Sequence, residues 1–291
     1  MSLSVVIVTH NEEANLGRTL QSVQPLVADG KGEIIVVDSG STDRTVEIAK
    51  SFGATVFVEE WKGYAAQKNS AIDKATGDWI LSLDADEEVD SELAEELTGR
   101  NSDGSVVRKT NSHEWCLTLD SAARSDVVKG KPNGFLLSRK NFFLGRWIKH
   151  GGFWPDFKVR LFGRGLGHFE ERAVHETIRV SGRVVAINRG ALIHHSYPTL
   201  SDYIEHMNRY SSLSAEMVVA KANGKVRFSV INIVLRPLAT FVYNYFFRLG
   251  FLDGREGLLL HLYHAVYVSW KYSKAWEFSR KQQRSQVTLS S

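Results

Sequence analysis

The first hundred residues alternate between short apolar runs rich in Val and Ile and longer segments with apolar residues at three- and four-residue spacing. The short runs are typical of strands and the longer segments of helices. Near-continuous apolar strands indicate a parallel sheet covered on both faces, the doubly wound α/β architecture. The predicted strands are Ser4–Thr9, Glu33–Asp38, Thr55–Val58 and Trp79–Leu83, and the predicted helices are Glu12–Val23, Arg44–Phe52 and Tyr64–Ala75.

Three of these four strands end in polar and acidic clusters: Thr9–Glu13, Asp38–Asp43 and Asp84–Glu87. The carboxyl ends of parallel strands meet at one edge of the sheet, where ligands bind in open α/β folds. No Gly-x-Gly-x-x-Gly or P-loop signature follows any of these strands. A dinucleotide or a P-loop triphosphate is therefore disfavoured as the ligand.

Asp84 and Asp86 lie on alternate residues just past the fourth strand. Two such carboxylates can share a hard divalent cation, Mg²⁺ or Mn²⁺, which keeps coordination positions open for substrate phosphates. Such an ion would neutralise a leaving diphosphate. The alternative is that these acids are only the N-terminal charges of a helix predicted for Val89–Gly99.

Six segments follow one another along the chain: VVIVTHNEEANL, IIVVDSGSTDRTVEIA, GDWILSLDADE, KVRLFGR, AVHE and IHHSY. Taken in this order they resemble family 2 of the glycosyltransferases, in the subgroup that includes lipopolysaccharide core glucosyltransferases. The resemblance covers roughly residues 3 to 215. It implies a GT-A fold with a doubly wound, mostly parallel sheet. It also implies inverting, metal-dependent transfer of a hexose, glucose from UDP-glucose, to a lipopolysaccharide-core or other lipid-linked glycan.

The resemblance also assigns residues to the donor and the metal. The carboxylate of Asp38 would hold the nucleotide base; a helix N-cap is its alternative role. Lys68 would lie close to the base or phosphate, unless it is a solvated surface lysine. His194 would help to bind metal or phosphate, unless it is only a hydrogen-bonded strand-end histidine. The nucleotide-sugar-binding set is Thr9, Asn11, Glu12, Asp38, Lys68 and Asp84, and the metal set is Asp86, Asp84 and His194.

An inverting transfer needs a general base that deprotonates the acceptor hydroxyl. Similar proteins usually carry it in a Glu-Asp pair, but this chain has Val174-His175-Glu176 at the corresponding place. Glu176 is the candidate base, Asp156 the second choice, and His175 an orienting partner or acceptor contact. Alternatively, Glu176 only pairs with a neighbouring arginine.

The C-terminal third differs in composition. From Ser229 to Asn244 the polar residues recur every three to four positions, which leaves a wide apolar arc on a helix. Arg236 at the centre of a membrane span would cost about 3 kcal/mol. We therefore predict an interfacial helix here, and a second one at Gly257–Phe278, where aromatic residues lie beside lysines. A helical hairpin packed on the body, or on a second subunit, is the alternative.

The C-terminal part of the chain is basic, whereas the rest of the chain is acidic. Residues 221 to 291 hold 11 Lys or Arg against 3 Asp or Glu, which leaves 25 against 30 before them. A basic tail on an acidic body favours an anionic surface as partner. That surface would be membrane lipid or nucleic acid. The acidic strand edge argues against a nucleic-acid groove at the aromatic and basic residues of 135–170, and we expect no nucleic-acid partner. We predict a catalytic domain at 1–199, with donor binding in 1–100 and the acceptor part in 101–199, and a helical membrane-associating region at 200–291.

A single cysteine excludes an intrachain disulfide, and the first apolar run lacks a basic leader. We expect a cytoplasmic protein, peripheral on the inner face of the cytoplasmic membrane. Whether it forms a homo-oligomer is left open. Two other functions are also open: a sugar nucleotidyltransferase, disfavoured by the acidic residues after the first strand, and a non-catalytic nucleotide-sugar sensor at the membrane.

Overall fold

The computed structural model describes residues 2–30, 32–99, 131–170 and 177–290. These residues group into two compact units. The first holds the described residues up to Lys140, those from Asp156 to 170, and those from 177 to His194. The second holds Asn141–Pro155 and the residues from His195 onward. Residues 141–155 thus group with the C-terminal part of the chain.

The first unit is built on a parallel sheet in the strand order β3-β2-β1-β4. Its strands are β1 (Leu3–Thr9), β2 (Gly32–Asp38), β3 (Thr55–Val58) and β4 (Trp79–Asp84). Thr9 lies opposite Asp38, and Val8 lies opposite Asp84. The register therefore brings the ends of three strands to one edge, as the sequence predicts.

Both faces of this sheet are buried, which explains why the strands alternate so little in polarity. Val5 and Ile7 pack on one side with Leu16 and Leu20. Val6 packs on the other side with a separate apolar cluster that includes Ile35 and Ile72. The helices that cover the sheet are α1 (Leu16–Val27), α2 (Thr45–Ser51), α3 (Tyr64–Asp73) and α4 (Ser91–Thr98), with a 3-10 turn at Ala28–Gly30.

Beyond β4 the sheet becomes mixed and continues in the order β8-β6-β12-β5. β8 pairs antiparallel with both β4 and β6, and β12 pairs antiparallel with β5. A separate two-stranded sheet consists of β9 and β10. These strands are β5 (Glu87–Val89), β6 (Gly134–Phe143), β7 (Arg146–Trp147), β8 (Asp156–Gly163), β9 (Gly167–Glu170), β10 (Thr177–Val180), β11 (Val184–Ala186) and β12 (Leu192–Tyr197).

Several predicted helix boundaries are wrong, including the end of the first helix, which is Val27 and not Val23. α1 begins at Leu16 and not at Glu12, because the carbonyl of Glu12 accepts bonds from Asn15 and Leu16 in a preceding turn. The helix predicted at Val89–Gly99 begins at Ser91, where the Asp90 side chain caps it by accepting from the Leu93 amide at 2.8 Å. Residues Glu87–Val89 form strand β5 instead, so Glu87 is not a helix N-terminal charge.

The second unit is mainly helical. Among the described residues, no helix has both the length and the apolar character needed to cross a membrane. Its helical elements are α5 (Leu200–Lys221), a π-helical turn at Ile231–Leu235, α6 (Arg236–Val242), a second π-helical turn at Tyr243–Phe247, a 3-10 turn at Gly250–Asp253 and α7 (Gly254–Ser290).

Candidate active site

Asp38 ends β2 with a fully buried side chain. One carboxylate oxygen accepts from the amides of Gly40 and Ser41 at 3.0 and 2.8 Å. The other accepts from the hydroxyls of Thr9 and Ser41 at 2.9 and 2.5 Å. Four bonds use the acceptor sites of a carboxylate. In this structure Asp38 thus shapes the turn after β2, and it does not cap α2, whose N-cap residue is Arg44.

The loops after β1 and β2 are joined by polar contacts. Asn11 adopts a positive φ of 56°, a conformation that asparagine tolerates better than most residues. The side-chain oxygen of Asn11 accepts from the backbone N–H of Thr42 at 2.9 Å. The backbone N–H of Asn11 donates to the Ser41 hydroxyl at 2.8 Å. These bonds hold the two strand-end loops in one arrangement.

Glu12 adds to a concentration of negative charge at this edge. Burial raises the pKa of its carboxyl, a hydrogen bond from Asn15 opposes the rise, and the charges of Asp86, Asp43 and Asp84 raise the pKa further. The carboxylates contributed by three strand ends therefore act on one another electrostatically, as expected for a site that receives a cationic ligand.

Asp84 lies between two cations. Lys68 Nζ is 2.7 Å from one of its oxygens, and the Arg160 guanidinium is 2.5 Å from the other. Burial alone would raise the pKa of Asp84, but Arg160 and Lys68 outweigh it and hold the pKa well below its usual value. Lys68 is therefore not a free surface lysine: its side chain is only 11% exposed, and it also lies over the Phe169 ring.

Glu87 has no predicted role in the sequence, but it connects Asp84 with two arginines of the site. Its side chain has no exposed surface, and one oxygen lies 2.7 Å from Arg160 and 3.2 Å from Arg139. The other oxygen accepts from the Asp84 amide at 3.1 Å. Arg139 in turn donates twice to Asp156, at 3.0 and 2.7 Å. A buried arginine needs carboxylate partners. The position of Arg160 within the apolar segment KVRLFGR is thus a sequence signal for buried acidic residues nearby.

The predicted metal residues come together in part. His194 Nε2 lies 3.3 Å from an Asp86 oxygen, because β12 pairs with β5 so that His194 is opposite Glu87. Asp84, by contrast, has both oxygens on cations. Within the described ranges no group of three His, Cys, Asp or Glu side chains is arranged to hold an ion. Asp86 and His194 thus offer two ligands.

The predicted acceptor residues are described only in part. Asp156 is paired with Arg139 and lies 3.1 Å from Lys158 Nζ. Each of its two oxygens is therefore engaged by a cation, Oδ2 by Arg139 and Oδ1 by Lys158. Glu176 and His175 lie outside the described residues.

Comparison with known proteins gives consistent relatives. Residues 4–146 match the family model described as Glycosyl transferase family 2. An uncharacterized glycosyltransferase of Rickettsia felis is 47% identical over 263 residues, 88% of this chain and 83% of the relative. The lipopolysaccharide core biosynthesis glycosyltransferase LpsC of Rhizobium meliloti is 28% identical over 274 residues, 92% of this chain and 89% of LpsC.

Among solved structures, the mannosyltransferase PcManGT of Pyrobaculum calidifontis, solved with GDP-Man and Mn²⁺, is 15% identical with a TM-score of 0.48, over 94% of this chain and 86% of that one. The residues matched by the family model include most of β1, all of β2 to β4, and the acidic residues that follow them. The chain belongs to family 2 of the glycosyltransferases.

Proposed function

We propose that this glycosyltransferase transfers a hexose, glucose from UDP-glucose, with inversion to a lipopolysaccharide-core or other lipid-linked glycan. The donor part depends on one observation: Asp84 lies between Lys68 and Arg160 at the edge where β1, β2 and β4 end. The acceptor part is supported by the similarity to LpsC along most of both chains.

The strand ends supply the proposed donor site. Thr9, Asn11 and Glu12 would lie around the ribose and base. Asp38 would act through the turn that it holds, or would exchange one of its four hydrogen bonds for the uracil N3–H. Lys68 would place positive charge near the phosphates while it keeps Asp84 ionised. These roles use a lysine on α3 and donors in the strand-end loops that contacts within the protein already orient, which lowers the reorganisation needed on binding.

The residues present fit a divalent metal only if the substrate completes its coordination shell. Asp86 and His194 would hold Mg²⁺ or Mn²⁺, and the donor diphosphate and water would fill the remaining positions. Asp84 would orient the ribose or a metal-bound water, because its oxygens are engaged by cations. When bound, the ion would neutralise charge on the departing diphosphate.

The proposed general base is Glu176, with His175 as its orienting partner. The position of Asp156 between Arg139 and Lys158 makes it the less suitable carboxylate, because a cation engages each of the two oxygens that could take the acceptor proton. The base would take the acceptor proton on the face of the sugar opposite the leaving nucleotide.

The first experiment is donor turnover by the full chain with a panel of nucleotide-sugars and Mg²⁺ or Mn²⁺, following nucleotide release with a lipid-linked glycan acceptor. We expect UDP-glucose to be turned over, and Glu176→Gln to lower kcat by about 10²–10⁴-fold with donor affinity kept. Asp86→Asn should lose the metal-dependent rate. The matched controls are Glu60→Gln and Asp73→Asn, both at exposed positions.

Preference for another nucleotide-sugar would overturn the assignment of UDP-glucose and leave the transfer intact. Equal activity of Glu176→Gln and Glu60→Gln would exclude Glu176 as the base and direct the test to Asp156→Asn. Donor binding without turnover on any acceptor would favour the nucleotide-sugar sensor.

A further inference from the structure

Large apolar side chains are exposed mainly in one segment of the second unit. Among the described residues, fourteen of the twenty-one exposed large apolar side chains lie between residues 228 and 262. Phe247 is the most exposed of them, at 75%. The fourteen are Phe228, Val230, Ile231, Val234, Leu235, Leu238, Tyr243, Phe246, Phe247, Leu249, Phe251, Leu252, Leu258 and Leu262.

This segment presents its apolar face outward. Ile231, Val234, Leu235 and Leu238 recur at helical spacing, and each is more than half exposed. Polar Asn232, between them, is only half-exposed. In an ordinary surface helix the apolar stripe faces the core and the polar residues face water. This inverted arrangement, in a segment with fourteen exposed large apolar side chains, marks an interaction surface.

The charges of the same segment have one sign. Arg227, Arg236, Arg248 and Arg255 are all exposed. The acids within 227–262 are Asp253 and Glu256, of which the first is buried and the second is half-buried beside Arg146. Every exposed charge of the segment is therefore positive, which is complementary to an anionic partner.

A lipid surface fits this combination better than a second copy of the chain does. A two-fold dimer places the same patch on both sides of the interface, so it would bring these arginines against one another. A membrane interface takes apolar side chains into the acyl boundary while arginines reach anionic headgroups. We propose that residues 227–262 are a docking surface for membranes that contain anionic lipid.

The helix α7 contributes less to this surface than its sequence suggests. Its tyrosines and tryptophans are half-buried, and Lys274 Nζ donates to the Asn208 carbonyl and the Ser211 hydroxyl of α5, both at 2.7 Å. The lysines and aromatic rings that resemble headgroup-layer residues are thus partly used in packing helix on helix. Of the two predicted interfacial helices, the earlier segment carries the proposed contact.

The biological purpose of this surface rests on the proposed lipid-linked acceptor, but its test does not. The full chain is sedimented with vesicles of phosphatidylcholine alone, and of phosphatidylcholine with phosphatidylglycerol, without donor or acceptor. We expect binding that requires phosphatidylglycerol and weakens with salt. Arg227→Gln/Arg255→Gln should weaken it about fivefold per arginine, and Ile231→Ser/Phe247→Ser by at least about tenfold.

Matched controls remove the same groups elsewhere: Met217→Ser for exposed apolar surface and Lys50→Gln/Lys131→Gln for charge. Because the substituted side chains are exposed, UDP binding should persist in all variants, which verifies folding. No binding to either vesicle would overturn the proposal, and so would equal effects of surface and control variants. Self-association abolished by Ile231→Ser/Phe247→Ser, seen by sedimentation velocity without lipid, would assign the surface to a second copy instead.

Discussion

Asp84 is held in place by two side chains that are distant in sequence and by one that is close to it. Lys68 comes from α3 and Arg160 from β8, while Glu87 accepts from its backbone amide. Because Glu87 also neutralises Arg139, one buried carboxylate balances two guanidinium groups. The geometry of the candidate site therefore depends on a residue that contacts no proposed substrate group.

Replacement of this carboxylate gives the first prediction. Glu87→Gln should lower the free energy of unfolding by about 3 kcal/mol, because the buried Arg160 and the half-buried Arg139 lose their shared counter-charge. Urea denaturation measures the change. The control is Glu277→Gln, in the exposed pair with Lys281, where no measurable change is expected. A loss at Glu87 as small as that of the control would mean that water or Asp156 replaces the missing charge.

Sequence reasoning found the residues at strand ends and missed those that hold them. Asp84 and Asp86 were predicted because they follow an apolar run directly. Arg139 and Glu87 were missed because they pair with each other across 52 positions of the chain. Apolar periodicity relates only residues of the same helix or strand. It therefore does not indicate which residues of different strands are in contact.

At the scale of elements, α7 packs one histidine closely against two glycines. His261 is 1% exposed, and neither ring nitrogen has a hydrogen-bond partner among the described residues. A side-chain carbon on Gly151 would lie 2.0 Å from its ring, and one on Gly250 would lie 2.3 Å from it. Burial lowers the pKa of His261 to about 4, the charge of His264 lowers it too, and Asp253 opposes this.

This environment predicts an acid-labile packing contact. The folded protein holds His261 neutral below the pKa of the unfolded chain, so the unfolded state binds more protons between about pH 4 and 6.5. Stability is full above that window and falls as pH drops through it, with a slope of up to about 1.4 kcal/mol per pH unit.

His261→Asn should make this slope shallower without abolishing it, since burial also lowers the pKa of His264. Denaturation curves between pH 4 and 7 test the change in slope. His10→Asn, at an exposed position, is the control and should keep the wild-type slope. Identical slopes in all three proteins would show that His261 does not titrate in this window.

At the scale of the whole molecule, the candidate metal site is incomplete within the described residues, so metal and nucleotide should bind cooperatively. Mn²⁺ alone should bind weakly at Asp86 and His194, and UDP should tighten it by at least about tenfold; linkage requires the reciprocal effect on UDP. Calorimetric titrations with Mn²⁺ or with a chelator measure both.

Asp86→Asn should keep the metal-free affinity for UDP and lose the gain from Mn²⁺, whereas Asp73→Asn should behave as wild type. Equal UDP affinity with Mn²⁺ and with chelator in the wild-type protein would contradict the proposed metal role. In that case the cations Lys68 and Arg160 would be the remaining candidates for balancing the diphosphate charge.

By itself the sequence determined the parallel sheet, its doubly wound cover and the acidic edge, because apolar periodicity and the order of strand ends are local properties. Tertiary structure alone decided which charges meet there: β8 and β5 bring Arg160 and Glu87 to Asp84, and β12 brings His194 to Asp86. It also decided that the apolar face of residues 228–262 points outward, since the amphipathic pattern of a helix fixes the width of its apolar stripe but not the direction in which it faces.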